Sequence, residues 1–291
     1  MHINMKYYIV TIGAIFIALG IGILVGFTLN YDQELSKQQA SVINDLDKKF
    51  ETLKTTNDDL NSKLGLLQSD YKNTIDFINY NSEKLIADSL VGKNIGIVSI
   101  DEESHTSQIK DIVSKADGVV SFEITIKSNI EKEEKLKEIS ERLNIEIKTS
   151  TEAINYIVDL LQSEGADSKL KELQSLGVIK VNLLDSNYIS YKDVIIAGGD
   201  LNKELDESYT NLYTNLIAKL KDNDKYIVGS QQSNSRYSYV DLFKTNKIAS
   251  IDNIDEGVGQ VSLIIALQDD NLNGSYGKLE TAESLIPYKK K

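Results

Sequence analysis

The sequence predicts an α/β fold, a mostly parallel sheet with helices on both faces, preceded by one transmembrane helix and a long coiled-coil helix. Three observations predict it. Residues Tyr7 to Leu29 carry no charge. Leu46, Leu53, Leu60 and Leu67 recur every seven positions. Beyond Leu90, short apolar runs alternate with stretches of helical spacing. The expected boundaries are a start at 1–6, an anchor at 7–29, a coiled coil at 31–80, an α/β domain at 91–287 and a basic tail at 288–291.

The uncharged run is long enough to cross the roughly 30 Å hydrocarbon core of a bilayer as one helix. A cleavable signal peptide has a shorter apolar region and a small-residue cleavage site. Leu24-Val25-Gly26-Phe27-Thr28-Leu29-Asn30 offers no such site, so the segment reads as an uncleaved anchor. Lys6 precedes it, while Asp32 and Glu34 follow it before Lys37. The positive-inside tendency therefore places the N-terminus in the cytoplasm and the C-terminal domain outside it. Ala14, Ala18, Gly22 and Gly26 recur every four residues along one helix face, a small-xxx-small surface on which two helices approach closely.

The next segment strengthens a self-association reading. Between Leu35 and Ile78 there is no proline, and Gly65 is the single glycine. The leucines at 46, 53, 60 and 67 take d positions; Ile43, Phe50, Asn57, Leu64, Tyr71 and Ile78 take a positions. A strict seven-residue repeat drifts on a straight helix, so it holds together as a left-handed supercoil with a partner. Asn57 is polar within the a series; against its own copy in a parallel homodimer it sets register and strand number. The alternative is one amphipathic helix packed on its own domain. The narrow seam, flanked by Asp47, Lys48, Asp58 and Asp59, favours the dimer. Ion pairing does not choose the partner, since Lys49 at g meets Lys54 at e.

In the α/β domain, Asn94–Ile100, Val119–Ile126, Asp193–Ala197, Tyr226–Val228 and Ile248–Ile251 read as strands. Helices are expected at Ser104–Ala116, Glu131–Leu143, Glu152–Gln162, Ser168–Leu176, Tyr209–Leu220 and Val258–Leu267, with Asp252 and Asp255 capping the last one.

Ligands in such folds sit at the carboxyl ends of strands. Three loops qualify: Asp101-Glu102-Glu103-Ser104-His105; Gly198-Gly199-Asp200; and Ser230 through Arg236. A possible pocket thus involves Gly198, Gly199, Asp200 and Arg236. No G-x-G-x-x-G follows the first strand and no G-K-[ST] occurs, so paired glycines fit turn chemistry as well as a phosphate or sugar site. No catalytic residue, cofactor or metal site is assigned. His105 is the sole histidine of the domain and the one metal candidate. Net charge is −12, without the basic face that nucleic acid requires. The chain has no cysteine, and both methionines, Met1 and Met5, precede the anchor with His2.

Ala18 through Gly26 in the anchor and a C-terminal block resemble the MctB-like copper transporter family. The block comprises Ser250-Ile251-Asp252-Asn253-Ile254-Asp255, Gly259-Gln260-Val261, Ala266-Leu267, Gly274-x-Tyr276-Gly277, Ala282 and Leu285-Ile286-Pro287. The resemblance spans essentially the whole chain. It implies a short cytoplasmic start, one anchor, a coiled coil and an extracytoplasmic domain. It also implies copper efflux, or, in related members, a protein partner in cell separation at the envelope. The expected function is a non-enzymatic, dimeric envelope scaffold that binds an envelope protein partner and lies in the cytoplasmic membrane. The alternatives are a copper-efflux component acting on the metal directly, and a head that binds a nucleotide or glycan.

Overall fold

The computed structural model describes residues 5–100, 105–199 and 205–288. The expectations for residues 101–104, Asp200 and the tail 289–291 lie outside these described residues. The chain divides into two compact units, Met1–Lys72 and Asn73–Lys291.

The described residues of the first unit belong to one helix, α1 (Met5–Ile86), which starts two residues before the apolar run. One segment of α1 is long and apolar enough to cross a membrane. Beyond it the helix is held by local means. Thr52, Thr55 and Thr56 donate to the carbonyls of Lys48, Glu51 and Thr52, and Lys63 pairs with Asp59 one turn back at 2.8 Å. The a and d residues face solvent: Ile43 is 58%, Phe50 75%, Leu67 67% and Tyr71 57% exposed. Leu46, Leu53, Leu60 and Leu64 are equally open, as is Asn57.

At Tyr71 the spacing changes. The apolar stripe steps 3-4-3-4 from Ile43 to Tyr71, then 4-3-4-4-4 through Ile75, Ile78, Ser82, Ile86 and Leu90. That stutter coincides with the boundary between the two units. In the second unit Ser82, Ile86 and Leu90 are buried, and Ile75, Ile78 and Asn79 are half-buried. The a series, expected to run to Ile78, therefore ends its free face at Tyr71. Ile78 falls on the stretch of α1 that packs on its own domain.

The second unit is a three-layer α/β domain with a seven-stranded sheet. Its strands are β1 (Asn94–Ser99), β2 (Val119–Ile126), β3 (Ile179–Leu184), β4 (Asp193–Ala197), β5 (Tyr226–Ser230), β6 (Ala249–Ile251) and β7 (Ser275–Tyr276). Their order is β3-β2-β1-β4-β5-β6-β7. All pairs are parallel except β2–β3. The helices are α2 (Thr106–Lys115), α3 (Glu133–Leu143), α4 (Ser150–Leu160), α5 (Asp167–Ser175), α6 (Glu207–Asp222), α7 (Val240–Thr245) and α8 (Gly257–Gln268).

Helices cover both faces, as the alternating pattern predicts. On one face Val98, Phe122, Ile124 and Ile196 pack with Leu136 and Ile139 of α3, Ile154 and Ile157 of α4, Leu170 of α5, Leu212 and Leu216 of α6, and Phe243 of α7. On the other, Ile95, Ile97, Ile195, Val228 and Ile251 pack with Ile109, Ile112 and Val113 of α2, Leu263, Ile264 and Leu267 of α8, and Ile86 at the end of α1.

Three elements were not expected. β3 is an antiparallel edge strand whose Lys180 and Asn182 are exposed, so it has no continuous apolar run. β7 has two residues, and α7 has fewer than two turns, too short for either period to register. The segment expected as helix from Glu131 opens instead with a 3-10 turn, Ser128–Glu131, before α3. The capping role assigned to Asp252 and Asp255 is overturned. Glu256 is the N-cap residue of α8 and makes no side-chain cap bond, while both aspartates bind other loops.

Candidate functional site

The chain passes from β1 to its neighbour β2 and later returns to β4 on the other side of β1. The carboxyl ends of β1 and β4 therefore form a topological switch point, where doubly wound sheets open a crevice. His105 precedes α2 there and caps it with no side-chain bond. Its Nε2 lies 3.4 Å from Ser230 Oγ at the end of β5. Burial pushes the imidazole down to about 4, so the ring is neutral near pH 7. Ser230 is itself buried, and its hydroxyl also reaches the carbonyl of Ile196. Ser99 Oγ donates to Thr125 Oγ1 at 3.0 Å.

Gly198 donates its N–H to Ser230 O at 2.8 Å and packs under Tyr239 and Phe243. Gly199 has a φ of +76° and lies against Gln231 and Ser235, as turn chemistry demands. Gln231 Oε1 accepts from Ser238 Oγ and Tyr239 N, which closes the loop after β5. Arg236 is exposed, its guanidinium 5.4 Å from the Tyr237 ring centre. The structure thus brings Gly198, Gly199 and His105 to one edge, with the Arg236 loop beside them. The described lining is hydroxyl, amide and neutral imidazole. Among the described residues no group of three or more His, Cys, Asp or Glu converges as a metal set.

A second constellation lies where the end of α1 meets α8, and sequence reasoning missed it. The first N–H groups of a helix need acceptors. Val258 N, in the first turn of α8, donates to Asn79 Oδ1 of α1 at 3.0 Å. A Cβ on Gly257 would lie 2.6 Å from Asn79 Cα, so glycine permits this approach. Gly259 likewise abuts the carbonyl of Asn253. Asp252, its pKa raised by burial, accepts from Lys278 N and Leu279 N at 2.8 and 2.9 Å. Gly277, with a φ of +135°, brings that segment in. Ser250 and Asp252 pair their N–H groups with the carbonyls of Gly274 and Tyr276, and Ser262 Oγ donates to Leu285 O. Residues 250–255, 259–261, 274–277 and 285 thus converge on one joint. No periodicity marks Asn79; its polar amide simply follows Ile78 on the docked face.

At the opposite, amino-terminal edge of the sheet, Lys93 Nζ reaches Asp193 at 3.1 Å and Asp270 at 3.0 Å, and Lys192 reaches Asp270 at 3.0 Å. Burial alone would depress Lys93, but bonds to Asp270 and Asp193 outweigh it and hold its pKa above the ordinary value. These charges pair with one another.

A three-layer α/β head that includes the end of a long helix, whose early turns can span a membrane, defines a helix-tethered α/β protein. The chain belongs to the MctB family. The model of that family, described as copper transport outer membrane protein MctB, matches residues 2–287. No curated protein matches the chain. Much of the C-terminal block that carries the resemblance, residues 250–255, 274–277 and 285, lies around the start of α8 and its joint with α1.

Proposed function

We propose that this chain is a non-enzymatic envelope scaffold: a parallel homodimer anchored in the cytoplasmic membrane, with extracytoplasmic heads that engage an envelope protein partner, in a setting such as cell separation. The observation that supports it most is the open seam of α1. Ile43, Leu46, Phe50, Leu53, Leu60, Leu64, Leu67 and Tyr71 all face solvent in the single chain. Fully burying one such side chain contributes about 1.5–3 kcal/mol, and the heptad phase matches a second copy of the same stripe. Ala14, Ala18, Gly22 and Gly26 extend the pairing surface into the anchor. Ser230, the hydroxyl beside the one described imidazole, is buried and engaged with backbone, which disfavours nucleophilic chemistry there.

Copper, in this reading, is not gripped by the chain itself. The donor inventory is no cysteine, Met1, Met5, His2 and a buried His105. The family match favours a second reading, in which the chain serves copper efflux as part of an assembly.

The chain lacks cysteine, so an introduced one is unique. Leu53→Cys in membranes should cross-link efficiently to a dimer, and Asp58→Cys, off the seam, should not. Equal cross-linking at both sites, or none at Leu53→Cys, would sink the dimer. Copper titration of the purified full chain should give no stoichiometric site tighter than micromolar. A tight site lost in His105→Ala would favour direct metal handling instead.

A further inference from the structure

The loop between β6 and α8, residues 252–256, touches two places at once. On one side it enters α8, whose first turn is capped not by its own N-cap residue but by Asn79 of α1. Without that side chain the Val258 N–H loses its acceptor. The contact has no slack, because Gly257 lies directly against the Asn79 backbone.

On the other side the loop clasps the segment that follows β5 at the crevice. Both carboxylate oxygens of Asp255 are used by Ser233, through its N–H and its hydroxyl, each at 2.6 Å. Ile254 N donates to Gln231 O at 3.2 Å, and Ile254 O accepts from Gln108 Nε2 at 3.3 Å. Gln108 Oε1 in turn accepts from Gln232 Nε2 at 2.8 Å. Between the two sides, Asn253 and Ile254 are fully buried, and Asp252 is tied to Lys278 and Leu279.

We propose that residues 252–256 are a coupling element through which the last turns of α1 and the crevice segment 231–235 respond to one another. A change in the seating of Asn79 alters the fit of Asp255 on Ser233. Anything that seats on residues 231–235 alters the capping of α8 by α1. Thermodynamic linkage requires the two effects to be reciprocal. The inference concerns contacts within residues 73–291 and holds whether or not the seam pairs.

Amide hydrogen exchange on the full chain in detergent micelles tests it. Asn79→Ala should speed exchange about three- to tenfold in the first turn of α8 and also at residues 231–235, while α4 and α5 keep their protection. Asn79→Asp, which retains an acceptor, should restore most of that protection. Conversely, Ser233→Ala should speed exchange in α1 around residues 79–86. A change confined to α8 in Asn79→Ala, or an α1 unaffected by Ser233→Ala, would overturn the coupling and leave a plain packing contact. Should Asn79→Ala unfold the domain, the Ser233→Ala arm decides the matter alone, because that side chain is exposed and its loss spares the core.

Discussion

At the scale of single residues, the fold controls charge at His105. Its imidazole titrates near 4 in the folded protein against an ordinary value of 6.5, because burial penalises the cation. The sign follows from proton counting. Between those two values the unfolded chain binds more protons than the folded one, so stability rises with pH. The contribution is complete above about pH 6.5 and is lost as pH falls towards 4. A shift of that size corresponds to roughly 3 kcal/mol. Denaturant melts at pH 4.5 and 7.5 should show a smaller pH difference in His105→Gln than in the natural chain; identical differences would contradict the burial argument. Comparison with the variant is needed because burial raises Asp193 and Asp252, which titrate with the opposite sign. Gly257 is the second residue on which the fold leans. Its Cβ would meet Asn79 backbone, which cannot swing aside as a side-chain tip could. Gly257→Ala should cost about 1–3 kcal/mol, read as a lower thermal midpoint.

At the scale of elements, α1 serves two employments divided at Tyr71. Up to that residue its apolar stripe keeps the 3.5-residue period of a coiled coil; from Ile75 the period lengthens, and Ile86 and Leu90 enter the domain core. A chain starting at Asn73 should therefore fold cooperatively, and one starting at Val91 should not. The shorter chain loses Ile86 and Leu90, at about 1.5–3 kcal/mol each, and the Asn79 cap, at about 1 kcal/mol. That is a large part of the 5–15 kcal/mol typical of a whole domain. Circular dichroism melts of the two fragments distinguish them, and equal midpoints would mean that the end of α1 is an ornament. In the other employment, Asn57→Leu should raise the melting temperature of the full chain while broadening its oligomer distribution in sedimentation.

At the scale of the whole molecule, charge decides what the protein can approach. We expect a net charge of −12 to turn the chain away from nucleic acid and from anionic headgroups. Orientation rests on Lys6 against Asp32 and Glu34. We expect protease added to intact, wall-stripped cells to digest residues beyond the anchor; their protection would reverse the orientation and remove the envelope reading. Chain alternation carries the architecture at this scale. Five of the strands and the two-faced helix cover were legible because each β–helix step leaves its own local period.

By itself the sequence determined whatever local period and composition encode. These include an apolar segment of bilayer length, a heptad stripe with Asn57 inside it, and the α/β alternation. Tertiary structure alone decided the rest. β3 became a strand because β2 offered it an antiparallel edge, not because its own residues form an apolar run. Asp252 and Asp255 look like caps for α8 when only the neighbouring sequence is seen. In space, the backbone N–H groups of Lys278 and Leu279 and the N–H and hydroxyl of Ser233 lie nearer to hand. The acceptor they leave unfilled comes from Asn79, 179 positions away in the chain. A capping bond depends on which donor and acceptor end within about 3 Å of each other. For partners so distant in sequence, only the packing of α1 and α8 against the sheet sets that distance.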